Sequence, residues 1–393
     1  MDSIGCESLN DGQFDRSEVD RSELESAVAF VLERIDGNLD RFADRFPSPS
    51  SDELCYAPTE NVGWTSGFWT GMLWLAYAVT GDETYADVAG AQLESYRDRL
   101  NRRIDVDCHD VGCIYVPSAV AAYKLTGDDA ARELAIDAAE TLYKRYHPDP
   151  GFLQAWGPMD GSDEWTHGRM IIDSLIVVPL LYWASEMTGD RRYAAAASSH
   201  VRLNTASIVR EDASTYHTYR FDVDAGEPIA GETHQGYDDE SCWARGQAWG
   251  IYGYPLAYRH TGTRDHLDVG VRLANYYLNR LPDDLVPRWD FRAPDDDETS
   301  DSSAAAIAAC GLLELADHLP PLDDRRRRYE NAALSTLGSL SRGYTTQGRS
   351  SNGVLAAAAY NKPDGDFDEC CIWGDYFYFE ALVRATRVWD PFW

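Results

Sequence analysis

The sequence predicts an all-α protein, a six-hairpin α/α toroid (or barrel) with an inner ring of helices wrapped by an outer one. Three observations carry that expectation. Apolar helical stretches alternate with amphipathic, more charged ones along the chain. The same short turn recurs at the ends of the apolar stretches. The connections alternate as well, short at one end of the helices and long at the other. Rods of these two kinds bury their apolar surface by placing one set inside the other.

Residues 1–20 are acidic and polar and read as an N-terminal extension, followed by a single α/α-barrel catalytic domain over 21–393. Amphipathic helices are expected near 22–45, 83–101, 129–146, 191–209, 265–281 and 324–341. Apolar ones are expected near 65–79, 112–125, 170–187, 243–260, 302–317 and 373–387. The recurring turn is Tyr77-Ala-Val-Thr-Gly-Asp82, Tyr123-Lys-Leu-Thr-Gly-Asp128, Ser185-Glu-Met-Thr-Gly-Asp190 and Tyr258-Arg-His-Thr-Gly262. Its Gly supplies the left-handed residue just past a helix end, and the Asp of the first three is placed to cap the next helix. Thr215 to Val223 and Val286 to Phe291 are the strand candidates. Segments 46–64, 147–169, 210–242, 282–301 and 342–372 all precede apolar helices, so they gather at one end of the ring. Long ordered loops on a rigid scaffold are where function tends to sit.

Composition narrows the function. The formal net charge is −31, and only Lys124, Lys144 and Lys362 are lysines. This is the pattern of a protein adapted to molar salt, where the Debye length is ~3 Å and surface repulsion is screened. With no basic stripe, nucleic acid is not an expected partner. No apolar run is long enough to span a membrane, and no basic-then-apolar signal opens the chain, so a cytoplasmic protein is expected. The oligomeric state is not legible. Eight cysteines lack paired C-x-x-C spacing and read as reduced thiols. Cys108-His109-Cys113 is a poor zinc set for the same reason.

The candidate chemistry centres on Asp173, inside the apolar run Met170 to Met187. A helix dipole would favour its charged form by up to ~2 kcal/mol. Full desolvation can raise a carboxyl pKa by up to ~3–5 units and would win, leaving a proton donor near neutral pH. The competing reading is a capped or salt-bridged core Asp, with Arg169 nearby. Asp110, in Cys108-His109-Asp110-Val-Gly112, is an obvious N-cap; because Asp173 opens the third apolar helix at the same end of the ring, it also reads as a second acid in the same cleft. Paired carboxyls have their pKa values pushed apart, one a donor and one a charged helper.

Around them stand Trp64 in Asn61-Val-Gly-Trp64, His109, Trp156 before the Asp173 stretch, His217 in Tyr216-His217-Thr-Tyr219, and Gln235 in Thr233-His-Gln235-Gly236. The run Trp243-Ala-Arg245-Gly-Gln-Ala-Trp249 places a guanidinium and an indole four residues apart. On a helix they share a face, which suits a sugar ring carrying a carboxylate.

Together these runs resemble glycoside hydrolase family 88, the unsaturated glucuronyl hydrolases. The match includes Trp64-Thr-Ser-Gly-Phe-Trp69, His109-Asp110, Ile171-Ile-Asp173, Tyr216-His217-Thr-Tyr219, the Trp243 to Trp249 run, Asp301-Ser-Ser-Ala-Ala305 and Ile372-Trp-Gly-Asp-Tyr376, spread over roughly 60–385. The resemblance implies a six-hairpin α/α barrel that removes a 4,5-unsaturated uronic acid from the non-reducing end of lyase-generated oligosaccharides. It implies Asp173 as proton donor to C4 and then as base, with Asp110 supporting the cationic transition state. Trp64, His109, Trp156, His217, Gln235, Arg245 and Trp249 would line the uronate subsite, with Arg245, Gln235 or His217 on the carboxylate. No metal or organic cofactor is implied. The alternatives are an unsaturated rhamnogalacturonyl hydrolase of the related family 105, a sugar epimerase using His217 and His234, and a non-catalytic sugar-binding toroid.

Overall fold

A computed structural model describes residues 7–10 and 12–393. Residues 1–6, Cys6 among them, and residue 11 lie outside the described residues. The helices in chain order are α1 (Arg21–Asn38), α2 (Ser66–Thr80), α3 (Glu83–Asn101), α4 (Val111–Tyr115), α5 (Ala121–Thr126), α6 (Asp129–Tyr143), α7 (Pro179–Thr188), α8 (Arg191–Ser207), α9 (Ala244–Thr261), α10 (Arg264–Leu278), α11 (Ser302–His318), α12 (Asp324–Ser339) and α13 (Ile372–Thr386). A π-helical turn, Val116–Val120, joins α4 and α5 into one rod.

α2 packs on α4 and α13, α4 on α7, α7 on α9, α9 on α11, and α11 on α13, closing the inner ring. α1, α3, α6, α8, α10 and α12 lie outside it, each against an inner rod. The recurring turns behave as their chemistry dictates. Gly81, Gly127, Gly189 and Gly262 are all left-handed C-caps. Asp82, Asp128 and Asp190 then accept from backbone N–H groups of the next helix. On the opposite end sit the long connections.

Two expectations are corrected. The apolar run from Met170 to Met187 is not one helix: Arg169–Ile171 is a strand, Ile172–Ile176 a 3-10 turn, and the α-helix starts at Pro179. Proline has no N–H to continue a helix but is well suited to begin one. The macrodipole argued for Asp173 is therefore reduced to one short turn. Val286 to Phe291 forms only isolated bridges, Trp243 with Asp290 and Arg288 with Ser300. The other candidate is a strand, Thr218–Asp222, between Arg169–Ile171 and Glu227–Glu232 in an antiparallel sheet. From residue 7 the N-terminal stretch lies on α10 and α12, with Glu7 on Arg280 (2.8 Å) and Arg328 donating to Asn10 and Gln13 carbonyls.

Candidate active site

The long connections surround a cleft of about 510 Å³, open mouth included, lined by Trp64, His109, Asp110, Trp156, Ile171, Asp173, His234, Gln235 and Tyr360. Two glycine-backed contacts decide how closely its walls approach. A β-carbon on Gly112 would overlap Val177, and one on Gly67 would overlap the Ile114 carbonyl. The first pins the start of α4, two residues after Asp110, to the turn four residues after Asp173.

The loop weave then fixes the side chains. Backbone N–H of His109 donates to the Ala155 carbonyl (2.7 Å), and Ala155 donates to Arg169 (2.8 Å). Ile172 donates to the His217 carbonyl (3.0 Å), tying the Asp173 turn to the sheet. Trp64 hydrogen-bonds the Tyr360 hydroxyl through its indole N–H (3.1 Å) and leans on Trp373. Trp156 is backed by a parallel Trp165 ring at 5.4 Å, which in turn carries the Arg169 guanidinium.

Four acids open inner rods, and their surroundings sort them. Asp301 caps α11 and pairs with Arg245 (3.2 Å). Asp375 accepts from the Tyr56 hydroxyl and from the Val354 and Leu355 N–H groups, clamping two loops. Both are structural. Asp110 occupies the N-cap position of α4 yet makes no capping hydrogen bond. Its carboxylate is left to the cleft, 3.4 Å from His109 Nε2.

Asp173 shows a little of its surface to the cleft, but its Oδ1 is shut off from solvent and has no hydrogen-bond partner. Burial pushes its pKa up to about 8, against the pull of the Arg245 charge and with help from Asp110. The Trp249 indole also acts on it, although its N–H falls outside hydrogen-bonding geometry. A carboxyl left without partners keeps its proton.

Among the expected residues, Asp110, Asp173, Trp64, His109, Trp156 and Gln235 share the cleft wall. Arg245, Trp249 and His217 stand behind it. The Arg245 guanidinium lies against Trp243 and Trp373, and it donates to Asp301 and to the Ala359 and Tyr360 carbonyls. Helical spacing put it with Trp249, but a buried guanidinium goes where acceptors are. Gln235 donates to the same Tyr360 carbonyl (2.8 Å).

His217 Nδ1 accepts from the N–H groups of His234 and Gln235 (3.1 and 3.2 Å), so the ring proton sits on Nε2. Burial holds its pKa well below the ordinary value. It is a neutral donor and cannot serve as an epimerase base. In the sequence, Tyr360 and Ile171 are not singled out as cleft residues, and His234 has a role only in the epimerase alternative. The long loop before α13 was the sole hint for Tyr360. No group of three or more His, Cys, Asp or Glu among the described residues is arranged to hold a metal.

A ring of paired helices with a sugar-sized aromatic cleft and two carboxyls of unlike environment defines an α/α-toroid glycosidase. The model of Glycosyl Hydrolase Family 88 matches residues 35–348, and the chain belongs to that family. It is 42% identical to the unsaturated chondroitin disaccharide hydrolase of Streptococcus pneumoniae over 376 residues, 95% of this chain and 94% of that one. The crystal structure of unsaturated glucuronyl hydrolase from Streptococcus agalactiae superposes with a TM-score of 0.95 at 40% identity, covering 99% of each chain. A mutant of that enzyme complexed with dGlcA-GalNAc6S gives 0.88 at 37% identity, again covering 99% of each. The protein is a glycoside hydrolase with the α/α toroid expected from its sequence.

Proposed function

We propose that the protein removes the 4,5-unsaturated uronic acid from the non-reducing end of oligosaccharides left by polysaccharide lyases. One observation carries the mechanism: Asp173, whose Oδ1 is buried without a hydrogen-bond partner and whose pKa burial raises to about 8, shares the cleft with Asp110, whose side chain makes no capping hydrogen bond. Such a pair does not need the second-face nucleophile of ordinary glycosidases. Asp173 protonates C4 of the vinyl ether, placing positive charge on C5 and the ring oxygen. Asp110 stabilises that charge through space. The ionised Asp173 then takes a proton from water as it adds to C5. The hemiketal opens to a C5 ketone, and the hemiacetal left at C1 expels the aglycone alcohol.

Trp64, Trp156 and Tyr360 would enclose the ring. Gln235, on the cleft wall, suits the carboxylate, while His217 holds the His234–Gln235 backbone and Arg245 the Tyr360 backbone in place. The acidic, Lys-poor sequence supports work in a salt-rich cytoplasm. Among the described residues no helix is long and apolar enough to cross a membrane. The test is turnover of an unsaturated chondroitin disaccharide, followed by loss of the ultraviolet band of its C4=C5 bond. Asp173→Asn should lower it by a factor on the order of 10²–10⁴ with the fold retained. Turnover near the parental rate would defeat the assignment.

A further inference from the structure

A ring of six inner rods has two ends, and the burial of Asp173 depends on how each is closed. The cleft occupies one. At the other, the chain leaves α13 at Thr386 and turns back over residues 387–393. Phe392 and Trp393 are buried there, although they belong to no helix. The turn is fastened from outside by Lys124, which donates to the Pro391 carbonyl (2.6 Å) and pairs with Asp390 (3.3 Å). It is fastened from inside by the Trp393 indole N–H, which donates to Glu380 (2.8 Å). Glu380 is held in turn by Tyr252 and Arg384.

From Trp393 a column of rings rises toward the cleft. The indole stacks on Phe377 (5.9 Å, 22°). Phe377 meets the Trp249 ring edge-on at 5.3 Å, with Phe68 and Tyr252 at its sides. α9, which carries Trp249, packs closely on the Asp173 turn, with Gly246 and Gly250 against Ile172 and Gly253 against Leu175. The Trp249 indole is one of the groups that bear on Asp173. Each ring of the column is almost wholly removed from solvent. The stack fills the axis of the ring between residues 387–393 and α9.

We propose that residues 388–393 are a plug in the axis of the toroid, and that Trp393 is a positioning residue that keeps water from the underside of the catalytic acid. The inference rests on Asp173 being that acid. Loss of the plug would let water solvate its carboxylate, and ionisation would become easier. Arg245 on α9 and Asp110 on the α4 side act on its titration; the other titratable groups around it are Cys113 on α4 and His109, His234 and Tyr360 on the loops. None of them is altered by changes in the plug.

The experiment is the pH profile of kcat/KM on an unsaturated disaccharide for Trp393→Ala, Trp393→Phe and Lys124→Ala. It is run beside the hydrogen exchange of the Trp249 indole N–H by NMR. Trp393→Ala should move the alkaline limb toward acid by about one pH unit or more and speed indole exchange. Trp393→Phe keeps a ring in the column and should restore the parental profile. Lys124→Ala loosens only the outer fastening and should show the same changes in smaller measure. Because it alters a surface contact, it keeps the test alive if Trp393→Ala does not fold. A folded Trp393→Ala or Lys124→Ala with an unmoved limb and slow exchange would overturn the plug. Exchange reports on the plug whatever the identity of the acid. Unimpaired turnover by Asp173→Asn would instead remove the acid assignment, so the two failures are distinguishable.

Discussion

At the scale of single residues, the proposed role of Asp173 as proton donor ties stability to catalysis through one proton. Its pKa is about 8 in the folded chain, against 3.8 without burial. The folded protein therefore binds a proton that the unfolded chain has already lost between those values. Stability falls as pH rises through that window and levels off above it. Asn cannot ionise, so Asp173→Asn should melt higher than the parent above about pH 8. The gap should close below about pH 4, where both states of the parent are protonated. A tenfold difference in proton affinity is worth about 1.4 kcal/mol, so the gap should reach a few kcal/mol. Asp375, raised to about 7 by burial, bends the curve over a similar range, but it is common to both proteins and cancels in the difference. Equal melting at all pH values would mean that the carboxyl is solvated. On the proposed mechanism the same proton is consumed in catalysis, so kcat/KM should fall as pH rises past about 8. An alkaline limb below about pH 6 would point to another donor.

At the scale of elements, the distance between the two acids is set by a glycine. A β-carbon at Gly112 would overlap the Val177 backbone and side chain, so Gly112→Ala must push α4 from the Asp173 turn. Overpacking of this kind destabilises by about 1–3 kcal/mol, and displacement of reacting groups by about 1 Å can lower the rate on the order of 10²-fold. We expect a lower melting temperature together with a loss in kcat larger than the loss of folded protein explains. Gly90→Ala on outer helix α3, where nothing lies within 4 Å, is the control and should leave both unchanged or slightly raise stability. A Gly112→Ala enzyme of parental kcat would show that the walls of the cleft can shift freely. The rods and turns were legible in the sequence because apolar stripes and Thr-Gly-Asp turns are local signals. The strand at Arg169–Ile171 was not, since its pairing with Thr218–Asp222 is decided across nearly fifty residues, and an unbroken apolar run carries no period. Asp110 and Asp173 could be named as candidates from position alone. What separated them from Asp301 and Asp375 was hydrogen bonding, which only the fold reveals. Tyr360 owes its place to Arg245, Gln235 and the Asp375 clamp, all remote in sequence.

At the scale of the whole molecule, charge is divided by depth. Arginine supplies the buried pairs, Arg245 with Asp301, and Arg259 and Arg384 with Glu314, while the acid surplus is left to the surface. Salt reaches surface charges and hardly touches buried ones. At about 0.1 M salt the Debye length is ~10 Å and neighbouring surface carboxylates repel; at about 1 M it is ~3 Å and they do not. The melting temperature should therefore climb as KCl is raised toward molar concentration. The uronate is itself an anion approaching a chain of net charge −31. Its KM should fall over the same salt range, while kcat, set by groups inside the cleft, should change little once the protein is folded. Measuring both constants on stable samples separates these effects. A protein fully stable in dilute buffer, with a KM that rises as salt is added, would mean that a few short-range contacts hold the anion and that the acidic surface serves neither folding nor substrate capture.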